Sequence, residues 1–215
     1  MISAQSRWNA LRRPLMAIAL CGAVAMSVQG CVGLLLGGAV VGGFAATDRR
    51  TLGAQTDDKT IAIKGESRLP GVVGEPNHIN VTSFNRRVLL TGEVRDEAAK
   101  AAAEQDVKSI EGVHSVLNEL TVAEPSSFGQ RSNDTYITSK VKASLLDAKD
   151  VFGNSIKVVT ERGVVYLMGR ATEREANRAA QIAAGVDGVQ KVVKAFEYLT
   201  EDELTQLSSA PNQEK

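Results

Sequence analysis

Apolar and polar positions divide the chain into three kinds of segment. Residues 15–28 form an apolar stretch without a charge, and residues 32–46 form a second, Gly-rich one. Beyond them apolar residues come in short periodic blocks, and those blocks occur twice. At an offset of 76–77 residues, Asp57-Asp58 falls over Asn133-Asp134, Ile61 over Ile137 and Leu69 over Leu145. Ile79-Asn80-Val81 then falls over Ile156-Lys157-Val158, and Val88-Leu89-Leu90-Thr91-Gly92 over Val165-Tyr166-Leu167-Met168-Gly169. Ile110-Glu111-Gly112-Val113 completes the register over Val186-Asp187-Gly188-Val189. Glycines and apolar positions coincide together, so the chain holds one module in tandem.

The second copy carries the clearer pattern. Asp134 is placed to cap a helix over about 135–147, with Ile137, Val141 and Leu145 on one face. Residues 156–161 and 164–169 are apolar runs around Arg162-Gly163, which predicts a hairpin. Thr172-Glu173-Arg174-Glu175 has capping-box spacing and opens an Ala-rich helix ending near Gly185. Residues 189–199 are rich in β-branched and apolar side chains and predict a third strand. The order α-β-β-α-β makes the hairpin pair antiparallel and the last pair parallel, joined by a right-handed crossover. Each module is expected to be an α+β unit: a three-stranded mixed sheet with two helices packed on one face. The expected organisation is a signal over 1–30, a tether over 31–56, modules over 57–124 and 132–200 with a linker over 125–131, and a disordered acidic tail over 201–215.

Composition narrows the chemistry. The chain has 215 residues, 25 basic and 25 acidic, with 4% aromatics, two cysteines and two histidines. That inventory leaves little for a disulfide scaffold, a metal site or a histidine-based triad. His78 and His114 lack a nucleophile or acidic cluster at motif spacing and are expected at the surface. The glycines match neither a P-loop nor a dinucleotide pattern, and no basic face with interleaved aromatics suggests nucleic acid. Neither an enzyme, a cofactor protein nor a nucleic-acid binder is indicated. The acidic pairs Asp57-Asp58, Asp96-Glu97 and Glu201-Asp202 suit helix starts or a solvated tail.

The amino-terminal stretches change the charge and the setting. Arg7, Arg12 and Arg13 precede the apolar run, and Val28-Gln29-Gly30-Cys31 follows it, so residues 1–30 read as an export signal. This resembles a bacterial lipoprotein signal with its lipobox. The resemblance implies diacylglycerol on Cys31, cleavage before it and acylation of the new amino end; with Val32 rather than Asp next, it also implies sorting to the outer membrane. An ordinary signal peptide or a membrane anchor is the competing reading. Cys21 leaves with the signal. As a helix, residues 32–46 would reach roughly 22 Å, short of the ~30 Å hydrocarbon core. Four-residue glycine spacing would allow close helix contact in lipid, and a flexible tether at the membrane surface fits equally well.

Gly92 and Gly169 close the second strand of each copy, and Gly112-Val113 and Gly188-Val189 precede the third. This arrangement resembles the BON domain. Further stretches are Ala46-Thr47-Asp48-Arg49-Arg50, Gln55-Thr56-Asp57-Asp58, Ile79-Asn80-Val81-Thr82, Ser132-Asn133-Asp134-Thr135, Leu167-Met168-Gly169 and Thr172-Glu173-Arg174-Glu175-Ala176. Together with the lipobox they resemble dual-BON outer-membrane lipoproteins of the DolP type. The resemblance implies a lipid-anchored, periplasm-facing protein that binds anionic phospholipid through the first helix of its second BON domain. It also implies a role in envelope integrity with enrichment at division sites.

The residues themselves point to the same helix. With Ile137, Val141 and Leu145 inward, the opposite side presents Tyr136, Ser139, Ala143 and Leu146, flanked by Lys140 and Lys142. An aromatic and a leucine between lysines suit the headgroup–acyl boundary. Tyr136 falls where the family places an interfacial aromatic. The first copy has Thr60, Ile63 and Ser67 there, with Lys64 but Glu66. Charge follows the same division: residues 57–124 hold 8 bases and 12 acids, residues 132–200 hold 10 bases and 8 acids. Two alternatives stay open: Tyr136 and Leu146 pack on the first domain or the linker, or the protein is an adaptor whose first domain docks an envelope assembly, division or cell-wall partner.

Overall fold

A computed structural model describes residues 48–209, with side chains through Leu207. The export signal, Cys31, the Gly-rich segment 32–46 and residues 210–215 lie outside the described residues. Each module follows the expected order. The first runs α1 (Leu52–Val73), β1 (Asn77–Phe84), β2 (Arg87–Val94), α2 (Glu97–Lys108), then β3 (Ser115–Asn118) and β4 (Thr121–Val122). The second runs α3 (Phe128–Asp147), a 3-10 turn (Gly153–Ser155), β5 (Lys157–Glu161), β6 (Val164–Thr172), α4 (Glu173–Ala184) and β7 (Lys191–Leu199), and α5 (Glu201–Ser209) follows it. In both modules the hairpin is antiparallel and the crossover strand is parallel to the second strand. The crossover strand of the first module is broken in two, both pieces pairing with β2.

Two helices cover one face of each sheet. Ile61, Leu69, Val81, Leu90 and Val107 fill one core; Ile137, Val141, Leu145, Leu167 and Phe196 fill the other. Gly92, at φ +111°, shows why glycine stands at that register: a Cβ would lie 2.0 Å from the His78 carbonyl oxygen.

The helix starts differ from expectation. α3 begins at Phe128, inside the segment expected as linker, because Ser127 and Gln130 form a capping box. Asp134 is therefore not a cap. It sits buried within α3 and accepts hydrogen bonds from the backbone N–H of Arg162 (2.8 Å) and Gly163 (2.9 Å) in the β5–β6 turn. Its counterpart Asp58 accepts from Ser83 Oγ (2.6 Å) and from the N–H groups of Asn85 and Arg86 (both 2.7 Å). The repeat thus preserves one device, a helix carboxylate that closes a hairpin whose residues stand at positive φ. α1 likewise starts before residue 57, at Leu52, capped by Thr51. The tail also departs from expectation: residues 201–209 form α5, in which Thr200 Oγ accepts from Glu203 N–H and the Glu203 carboxylate from Thr200 N–H.

The strands bury their second faces too. Val88, Leu90 and Val94 point to the first core, so Leu89, Thr91 and Glu93 point the other way and are all fully buried. Phe84 and Leu89 pack there against Tyr166 and Met168 of the second module. Asn85 Nδ2 donates to Glu197 (2.6 Å) and Arg87 to the Phe196 carbonyl (3.1 Å), so the helix-free faces of the two sheets meet. The incoming chain clips onto both modules. Arg49 makes a two-toothed pair with Glu175 (2.8 Å each), while Arg50 pairs with Asp58 (2.6 Å) and lies over the Phe84 ring. Among the described residues, no helix is long and apolar enough to cross a membrane.

Candidate functional site

α3 spans 20 residues, and burial follows one side only: Asp134, Ile137, Val141 and Leu145. The opposite side is open. Tyr136 is 62% exposed and Leu146 57%, with Ser139 and Ala143 exposed between them. Neither Tyr136 nor Leu146 is buried against the first module or the linker. The start of α3 at Phe128 brings a residue of the expected linker onto this helix. At 100° per residue Phe128 lies in line with Ser139 and Leu146, and it is 81% exposed. Phe128, Tyr136 and Leu146 thus form a broken apolar stripe on the open side of the helix, with Tyr136 about 80° round from the other two and Ser139 and Ala143 between them.

Charges border this stripe on both sides. Lys140 folds its ammonium over the Tyr136 ring, 4.8 Å from the centroid, and donates to the Asp187 carbonyl. It is half-buried and must swing to meet a phosphate. On the other edge Arg131 and Lys142 are exposed and form no salt bridge among the described residues. Asp147, exposed in the last turn, is the acid nearest to this face. The arrangement can admit apolar side chains into a soft apolar layer while holding cations at its boundary.

The BON domain model matches residues 57–124 and 133–200. The chain belongs to the BON-domain family. It is 39% identical over 188 residues to Outer membrane lipoprotein DolP of Haemophilus influenzae, covering 86% of this chain and 97% of that protein. The 21 kDa hemolysin of Actinobacillus pleuropneumoniae is 34% identical over 71% of this chain and 79% of its own length. Osmotically-inducible protein Y of Escherichia coli is 38% identical over 53% of this chain and 58% of its own.

Comparing the two BON domains sharpens the contrast between their first helices. On α1 of BON1, Ile63 is 66% exposed, so that helix also shows an apolar group to solvent. What differs is the aromatic pair and the sign of one charge, with exposed Glu66 where BON2 has Lys142.

A second cluster lies where the BON sheets meet. His78 is not a free surface residue: it is half-buried and faces Glu93 across the β1–β2 ladder, Nδ1 to Oε2 3.2 Å. Glu93 is fully buried, and its other oxygen accepts from Arg162 of BON2 at 3.2 Å. Glu161 of BON2 reaches into the same space and accepts from Asn80 Nδ2 at 2.8 Å. Burial raises the Glu161 carboxyl above its ordinary value; His78 and Asn80 pull it down, and the charge of Glu93 pushes it up. His114, by contrast, is exposed as expected. Nothing in the sequence spacing joins residues 78, 93 and 161; only the contact of the two sheets does.

Proposed function

We propose that this protein is a lipid-anchored outer-membrane lipoprotein facing the periplasm, and that α3 of BON2 binds anionic phospholipid. Cys31 carries the lipid anchor in this reading. The anchored protein supports envelope integrity and concentrates at division sites. Similarity to a protein named Outer membrane lipoprotein DolP over nearly its whole length supports the location. The observation that carries the binding role is the exposed row of Phe128, Tyr136 and Leu146 between Lys140 on one edge and Arg131 and Lys142 on the other.

The physical division of labour is simple. Acyl chains hold the protein at the membrane, so the helix need only bias how the domains lie on it. Tethering raises the local lipid concentration, and weak intrinsic affinity suffices. Each cation near an anionic surface contributes about 1 kcal/mol, screened by salt. Tyr136→Glu puts a charge in the middle of the stripe. In a flotation assay with anionic vesicles, a fragment beginning at Thr47 and carrying this change should stay unbound while melting as the parent does. Flotation equal to the parent's would remove α3 as the lipid-binding element.

A further inference from the structure

The cluster at the sheet–sheet junction has the composition and spacing of a metal site. His78, Glu93 and Glu161 each offer one ligand atom within 4.8 Å of the others, and His78 Nδ1 lies 3.2 Å from Glu93 Oε2 and 3.9 Å from Glu161 Oε1. We propose that these three atoms bind one divalent cation of the zinc class, and that the ion links BON1 to BON2.

Geometry makes the first argument. Zinc bonds of about 2.0–2.2 Å to nitrogen and oxygen place neighbouring ligand atoms about 3.3–3.5 Å apart in a tetrahedral site. The His78–Glu93 separation of 3.2 Å already sits close to that edge, and the His78–Glu161 separation of 3.9 Å needs only a small side-chain rotation. One imidazole and two carboxylates leave a fourth position for water, and the donor set suits zinc and its neighbours better than a soft, thiolate-loving ion.

The surroundings of each ligand make the second. Glu93 and Glu161 are 0% and 6% exposed, yet they come from different domains and face one another. Two buried carboxylates meeting this way call for positive charge between them. Arg162 satisfies Glu93 Oε1, and Ser126 N–H donates to Oε2 at 3.1 Å. Asn80 holds Glu161 Oε2, and among the described residues Glu161 Oε1 has no hydrogen-bond donor; it points at His78 instead. These outer contacts orient both carboxylates, as a metal site requires of its support: Glu161 Oε1 faces inward without a donor, and Glu93 Oε2 keeps a second lone pair beside its bond from Ser126 N–H. Ligation through Nδ1 uses the neutral imidazole with its proton on Nε2.

A consequence follows from the topology. Two ligands belong to BON1 and one to BON2, so the ion binds only when the sheets are apposed, and it stabilises that state by mass action. Such an ion would set how firmly the lipid-facing helix is held relative to BON1.

The test is zinc titration by calorimetry into residues 47–215, a compact unit by themselves that holds all three ligands and contains no cysteine. One ion per chain should bind. Losing an outer contact of a metal site costs about 10–100-fold in affinity, so losing a ligand should cost at least about tenfold. Glu161→Gln and His78→Ala should each show that loss, whereas His114→Ala should bind as the parent. Glu161→Gln keeps the shape and the Asn80 contact and removes one buried charge. Without metal it should melt no lower than the parent, and zinc should raise the melting temperature of the parent and of His114→Ala more than that of either ligand variant. Absence of saturable binding in the parent, or unchanged affinity in either ligand variant, would overturn the site.

Discussion

Phe128 gives the most quantitative handle on the lipid-binding reading. It is 81% exposed at the first position of α3, and its backbone lies beside a capping box that does not involve its side chain. An aromatic side chain offers 150–250 Å², so about 160 Å² of Phe128 is free to enter a membrane. At ~25 cal/mol per Å², full insertion is worth about 4 kcal/mol. A helix lying in the interface inserts to a limited depth, and taking half of that area leaves about 2 kcal/mol. Phe128→Ala removes nearly all of it, which predicts a loss of about 30-fold in vesicle partitioning. The assay is co-sedimentation of residues 47–215, a compact unit by themselves, with vesicles rich in anionic lipid. Stability should change by no more than about 0.5 kcal/mol, as for other exposed positions. A loss under about threefold would refute the insertion argument. A stability loss above about 1 kcal/mol would show instead that Phe128 packs on the protein.

The remaining predictions concern charge and the hairpin ties. Lys142→Glu should weaken binding to anionic vesicles by about 2 kcal/mol at low salt, and the difference from the parent should shrink as salt rises; a salt-independent effect would contradict it. Asp134→Ala strips the buried Gly163 N–H and the part-buried Arg162 N–H of their acceptor and should cost about 2–4 kcal/mol in denaturant unfolding; a cost below about 1 kcal/mol would mean the β5–β6 turn holds itself. Asp58 titrates in the acid limb. Burial alone would raise its carboxyl, but hydrogen bonds from Ser83, Arg86, Arg50 and Asn85 outweigh it and hold the value below 3.8. Its contribution is therefore complete above pH 3.8 and is lost as pH falls through the lower folded value. Asp58→Asn should be less stable than the parent at neutral pH, with the gap narrowing on acidification below that point. A constant gap would contradict the assignment.

Much of the fold was legible because the module occurs twice. The register that set Asp58 over Asp134 and Gly92 over Gly169 located the hairpins and the crossover in both copies. What was missed has identifiable physical causes. Ser127 and Gln130 are a capping box, but they stand among Pro125, Ser126 and Gly129, residues that also mark linkers, so Phe128 was read outside the helix. Asp134 has the composition of a cap, and only tertiary structure reveals its acceptor role toward Arg162 and Gly163. Thr200 and Glu203 carry the same capping-box spacing that was recognised at Thr172 and Glu175, so the signal for α5 was present but masked by the acidity around it. The uninterrupted run Val88-Leu89-Leu90 marks a strand buried on both faces. It does not say what covers the second face, so the meeting of the sheets and the cluster of His78, Glu93 and Glu161 stayed out of reach.

In the proposed function, lipid meets the protein on one face of α3. Amide shifts of residues 47–215, recorded while micelles of anionic lipid are added, test it residue by residue. Shifts should centre on Phe128, Tyr136, Ser139, Ala143 and Leu146, with α1 of BON1 unmoved and a weaker response to zwitterionic micelles. Shifts centred on α1, or spread over β1 and β2 with α3 silent, would contradict it.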